Sequence, residues 1–255
     1  MKKFHTNFEW LDRLMPEGIP IPSSTVISGP GGSGKPLIGL AMVASWLRQG
    51  GKVIFVPLQY PDPAFTQNDL ARLYDIQLSD YAGAYFFIEF DLDLPLDAGA
   101  VETSGSDGAR ANLIHPDVWT RALDLADQTL RPSDLGTLVF GSALNLLLFS
   151  PTYGERMRVR LETMLREDKR RTYLFTVSSS ALKKKIATLE QAADHLMFTQ
   201  MTRPEKKLYL RVARLRGAPY IEENVMAPLG QEALEAIKQM ADTSRVARIP
   251  AIRKI

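Results

Sequence analysis

Ser24–Pro36 reads STVISGPGGSGKP: an apolar, β-branched run over Ser24–Ser28 leads into Gly29-Pro30-Gly31-Gly32-Ser33-Gly34-Lys35-Pro36, and a helical stripe begins at Leu37. A strand that ends in a glycine-rich turn and opens a helix aims several backbone N–H groups at one point. The helix N-terminus adds partial positive charge there, so an anion is favoured. The spacing G-x-x-x-x-G-K is that of a phosphate-binding loop, and the next residue is ordinarily a Ser or Thr whose hydroxyl holds Mg²⁺. Here that residue is Pro36.

On either side of the loop, short apolar runs alternate with helical stretches, the signature of a mostly parallel sheet with crossover helices. Strands are expected at Ser24–Ser28, Val53–Leu58, Tyr85–Phe90, Thr137–Phe140, Tyr173–Val177 and Leu196–Gln200. Their near-continuous hydrophobicity suits strands covered on both faces. Leu208–Ala213 alternates instead and reads as an antiparallel edge strand or part of a hairpin. Helices are expected over Leu37–Arg48, from Pro116 to about Leu130, over Glu155–Glu167 and over Gln231–Ala241. The stretch Asp91–Ala111, acidic and then rich in Gly, Ser and Ala, has the composition of a mobile loop. Ser244–Ile255 carries Arg245, Arg248, Arg253 and Lys254 with no acid, and reads as a loose or partner-docking basic tail. One α/β domain over residues 1–243 is expected, with that tail behind it.

Composition narrows the function classes. Among 255 residues there is no cysteine, which excludes disulfides, thiolate metal sites and cysteine nucleophiles. His5, His115 and His195 show no metal-ligand spacing. The basic start at Lys2 and Lys3 is followed by Glu9, Asp12 and Arg13, unlike a signal peptide, and apolar runs such as Leu146–Phe149 are too short to span a bilayer. A cytoplasmic protein with no membrane partner is expected. A net charge of +2 is too mild to favour nucleic acid.

The first sixty residues resemble the KaiC-like branch of the RecA superfamily of P-loop ATPases. Leu11-Asp12-Arg13-Leu14 followed by Glu17-Gly18-Ile19-Pro20 is similar to that family's lead-in to its phosphate loop, and Gly50–Val56 to its turn into the second strand. Near the other end, Arg214-Leu215-Arg216-Gly217-Ala218-Pro219 resembles the family's K-M-R-G-[ST]-P element. The likeness covers roughly residues 5–60 and 134–227. It implies a RecA-like domain that binds ATP or ADP on Gly29–Pro36. It also implies that Arg214 and Arg216 reach the nucleotide of a neighbouring subunit in a homo-oligomer or beside related ATPase subunits.

Three positions depart from the family pattern. Pro36 removes the Mg²⁺-coordinating hydroxyl and one N–H of the phosphate cradle, and it biases Lys35 away from helical geometry. Each lost charge-assisted bond costs about 1.5–3 kcal/mol. The strand expected to end in the metal-orienting Asp ends instead in Gly141-Ser142. After the second strand the family's Glu-Glu pair is replaced by Pro57-Leu58-Gln59-Tyr60, and Gln59 has no useful basicity. Phosphoryl transfer depends on positioning and metal electrostatics, so the three losses together argue against Mg-ATP hydrolysis.

The expected function is therefore a catalytically degenerate regulatory or assembly module with weak or absent binding of ATP or ADP, no Mg²⁺ and no catalytic residue. One alternative is an active ATPase using unorthodox acids from Asp91–Asp97; another is a DNA-binding regulator of recombination using Lys183–Lys185 or Arg166, Lys169, Arg170 and Arg171. No stacking aromatics interleave with those lysines, so nucleic acid is not favoured. Ser178–Ser180, after a strand, reads as an ordinary loop at a place where ligands gather.

Overall fold

The computed structural model describes residues 2–60, 62–97, 99–202 and 205–255. In chain order the elements are β1 (Lys2–Phe4), α1 (Glu9–Asp12), β2 (Ile19–Ile21), β3 (Ser24–Gly29), α2 (Lys35–Arg48), β4 (Lys52–Pro57), α3 (Pro63–Tyr74) and β5 (Tyr85–Phe90). The chain continues through β6 (Glu102–Thr103), β7 (Gly108–Ala111), α4 (Pro116–Thr129), β8 (Thr137–Ser142), α5 (Gly154–Glu167) and β9 (Thr172–Ser178). It ends with α6 (Lys183–Ala192), β10 (His195–Met201), β11 (Leu208–Leu215), β12 (Val225–Met226) and α7 (Gln231–Ile252).

Ten strands form one sheet in the order β12-β11-β10-β3-β9-β8-β4-β5-β7-β6. The neighbours from β10 to β7 run parallel, and β11, β12 and β6 close the two edges antiparallel. Successive residues of a strand point to opposite faces. Ile27, Val53, Phe55, Leu138 and Phe140 accordingly enter one apolar cluster, while Val26, Ile54, Val56 and Val139 enter the other. Double cover explains why these strands read as continuous apolar runs.

The strand carrying the phosphate loop, β3, lies between β10 and β9. Helix α2 leaves the loop buried from Lys35 to Leu47 rather than along one stripe, because further elements of the fold enclose it. A Cβ on Gly39 would lie 2.3 Å from Phe140 Cε2, so that glycine is what lets α2 approach β8. The proline in its first turn leaves Lys35 helical, and Leu37 N–H donates to Gly34 O at 3.0 Å.

Two expectations are corrected. Part of Asp91–Ala111 is sheet: β7 pairs in parallel with β5 and β6 pairs with β7. Ala109 and Ala111 are fully buried, and Asn112 donates to Leu92 O and Leu94 O, which ties the preceding turn down. Small residues there serve close packing as well as flexibility. The basic tail is not loose either, because α7 runs unbroken past Ala241 to Ile252. Ile252 is fully buried, and Arg248 donates to Leu58 O at 2.7 Å and Tyr60 O at 3.0 Å. Docking of Ile252 and Arg248 holds the helix past Ala241. No described helix is long and apolar enough to cross a membrane.

Candidate functional site

The loop between β3 and α2 is shaped by what each glycine lets approach. A Cβ on Gly29 would lie 2.3 Å from Thr199 Oγ1 of β10. Gly32 and Gly34 hold positive φ, of 70° and 65°, that side-chain-bearing residues rarely adopt. Lys238 of α7 packs on Gly32, and Leu208 and Leu234 pack on Gly34. Ser33 turns its hydroxyl away from the loop mouth to Thr199 Oγ1, 2.7 Å away.

Lys35, 6% exposed, folds back onto its own loop. Its Nζ donates to Gly29 O at 3.0 Å, Pro30 O at 2.5 Å and Ser33 Oγ at 3.1 Å. Burial pushes its pKa down from 10.5 to about 7. Gly31 N–H, one of the cradle donors, is taken by Ser180 Oγ at 2.9 Å, and Ser179 N–H donates to Gly29 O at 2.9 Å. The serine run after β9 is thus a strut of the phosphate loop, a role its composition does not announce. An anion arriving at the loop must displace these internal partners.

Helix α7 roofs the site. Between it and the loop lies a cavity of about 160 Å³, whose wall includes Gln59, Asn145, Ser178, Ser180, Asp242 and Arg245. This roof escapes sequence reading, because nothing in Gln231–Ile252 says which surface it covers.

The remaining positions anticipated for the site lie elsewhere. Arg214 pairs in register with Leu196, and Leu215 with His195, near the start of β10. That is the end of the sheet opposite the loop, since β10 and β3 run parallel. Arg214 donates to Glu190 O and Ala193 O, while Arg216 is exposed, 3.8 Å from Asp194. The structure brings Gly29–Pro36 and Gln59 together and keeps Arg214 and Arg216 away from them within one chain.

The fold's usual metal does not fit these residues. Pro36 offers no oxygen from its side chain, and Gly141 has no room for one: a Cβ there would meet Leu144 Cδ2 at 2.5 Å and Phe175 Cδ1 at 2.8 Å. Among the described residues no group of three or more His, Asp or Glu could hold an ion. Asp91 pairs with Arg110, and Asp97 accepts from Gly99 N–H within its own turn, so these acids are engaged outside the cavity wall. The groups here whose chemistry suits a phosphate are the loop N–H groups and Lys35, once released from their internal partners.

Of the basic groups set apart as a nucleic-acid surface, Arg166, Lys183 and Lys184 are exposed, and three others are paired within the chain. Arg171 is buried among Asp124, Asp127 and Asp168, Lys169 pairs with Asp194, and Arg170 with Asp168. His195 is buried, its pKa lowered to about 4 by desolvation, and it accepts from Arg216 N–H. His115 caps α4.

No family model matches the chain, and no curated protein matches it. Among solved structures it is similar to a KaiC-like protein from the hyperthermophilic archaeon Pyrococcus horikoshii OT3. The TM-score is 0.65 at 14% identity, covering 90% of this chain and 95% of that one. The fold is RecA-like. In a RecA-like fold the crevice at the carboxyl ends of the parallel strands is where ligands gather. Here that crevice holds the glycine loop, Gln59 and the roof of α7.

Proposed function

We propose that this chain is a catalytically degenerate KaiC/RecA-like module, which binds a phosphate-bearing ligand such as ATP or ADP weakly, without Mg²⁺, and acts through regulation or assembly rather than hydrolysis. The observation that carries it is Gly141, packed by Leu144 and Phe175 where a metal-orienting carboxylate would have to stand. Pro36 and Gln59 remove the other two groups on which phosphoryl transfer relies. Lys35 keeps its place and can neutralise a phosphate once it leaves the loop carbonyls. Assembly is the reading given to Arg216, exposed at the end of the sheet away from the loop, as a head-to-tail contact with a second copy or a related ATPase subunit would need.

Calorimetric titration with ATP, with and without Mg²⁺, alongside a turnover assay, tests this reading. Weak binding indifferent to Mg²⁺ and no turnover are expected. Pro36→Ser, which restores an N–H and a hydroxyl, should tighten ATP binding about tenfold and still give no turnover. Mg²⁺-dependent turnover that disappears in Lys35→Ala would sink the proposal.

A further inference from the structure

The turn between β8 and α5 is ringed by cations that reach it from separate elements. Arg156 of α5 lies over the Tyr153 ring at 5.9 Å, and Arg253, just past α7, over the Phe149 ring at 5.5 Å. Lys185 of α6 donates to Leu148 O at 3.3 Å, and His115 packs on Tyr153 with ring centroids 5.0 Å apart. Arg156, Lys183, Lys184, Arg253 and Lys254 are exposed, and none of them is ion-paired among the described residues. The first turn of α6 holds no acid, and Glu155, the acid in the first turn of α5, is taken by Arg158. Uncompensated cations on one rim favour an anionic partner. Both rings pack on the second apolar cluster and carry a guanidinium, so a base finds little open face to stack on. Carboxylates, which arginine holds in a bidentate grip, suit the rim better.

Such carboxylates stand on the same rim. Asp91-Leu92-Asp93-Leu94-Pro95-Leu96-Asp97 follows β5, and Asp93 and Asp97 are exposed. Asn112 fixes this segment by donating to Leu92 O and Leu94 O, and from Asn112 the chain runs directly to His115 against Tyr153. The acidic turn and the cationic turn are therefore neighbours on one face, yet no ion pair joins them among the described residues. Two patches of opposite sign side by side are self-complementary about a two-fold axis, because each can cover its opposite on another copy.

We propose that this rim is a two-fold docking surface, on which a second copy of the chain sets Asp93 and Asp97 against Arg156 and Arg253 and receives the same contact in return. The inference rests on the assembly part of the proposed function and gives it a surface of its own, at the end of the sheet opposite Arg216. Leu92 and Leu96 beside the acids, and Phe149 and Tyr153 beside the cations, are half-buried and supply the apolar part of the contact.

The test is sedimentation equilibrium of the full chain. A dimer is expected, loosening as NaCl rises from about 0.05 to about 0.5 M. A chain carrying Arg156→Glu with Arg253→Glu, and another carrying Asp93→Lys with Asp97→Lys, should each weaken self-association at least about hundredfold, since like charges then meet. Far-ultraviolet circular dichroism shows that each variant is folded. Mixed in equal amounts the two variants should pair with each other, because every reversed charge then faces its opposite. The chain carrying all four substitutions should dimerise with itself for the same reason. A wild-type oligomer unmoved by either reversal overturns the inference and leaves assembly through Arg216 standing. So do folded variants that fail to pair on mixing. A chain that stays monomeric at every concentration and salt overturns both the inference and the self-assembly it rests on.

Discussion

Lys35 stands at the head of its helix with its ammonium group turned inward on two carbonyls and a hydroxyl. Its folded pKa of about 7 lies below the 10.5 of the free side chain, so between those values the unfolded chain holds the proton and the native chain does not. Stability therefore rises with pH from about 7 towards 10.5 and bears the full penalty below 7. Urea midpoints measured across that window should climb in the wild-type chain and flatten in Lys35→Met. Anion binding follows the opposite slope. Sulfate, whose charge is constant over this range, should bind best below pH 7 and weaken as Lys35 loses its proton. The loop's spelling is legible in Gly29–Lys35, but its closed state is not, because Ser180 and Lys238 are supplied by distant segments. Gly141 is legible as a departure and silent about its cause. The packing around it sets a prediction: Gly141→Asp should restore no turnover and should cost at least ~2 kcal/mol by urea unfolding, since its Cβ meets Leu144 and Phe175.

Elements that own their cover were readable, and elements that borrow it were not. The strands around β3 announce themselves because both faces are apolar, and α4 and α5 because each shows a helical stripe. By contrast, α3, α6 and the far half of α7 are held mostly by what they dock against. Arg171 shows the same dependence at a junction. Its guanidinium, 4% exposed, ties Asp124 and Asp127 of α4 to Asp168 just beyond α5, beside Tyr173 of β9. Burial alone would raise the Asp168 pKa, but bonds from Arg170 and Tyr173 overcome this and hold it at about 2. With the folded pKa below the unfolded one, this contribution is present above about pH 4 and is lost as pH falls towards 2. Arg171→Ala leaves the three carboxylates facing one another without their shared cation. The cost should be about 2–4 kcal/mol by urea unfolding, on the low side of a fully buried pair because Asp124 and Asp127 keep contact with water.

One sheet separates two apolar clusters, and neither can lose its cover without exposing the other's strands. Val53 and Phe55 pack on one side, Ile54 and Val56 on the other, all fully buried along a single strand. Helix α7 joins the two sides again, placing Leu234 and Ile237 in the first cluster and Ile252 in the second. A chain built this way should unfold as one unit, although at 255 residues a split is physically open to it. Nature supplies a reporter on each side: Trp46 is buried in the first cluster and Trp119 in the second. With Trp10→Phe in both, a Trp119→Phe chain reads the first cluster through Trp46, and a Trp46→Phe chain reads the second through Trp119. Each ring removed shifts its own midpoint, so the comparison within a variant is between its fluorescence and its far-ultraviolet circular dichroism. Coincident transitions in both variants are expected. A fluorescence transition that precedes loss of helix signal in one variant alone would assign that face of the sheet to a separate folding unit and dissolve the single-domain reading.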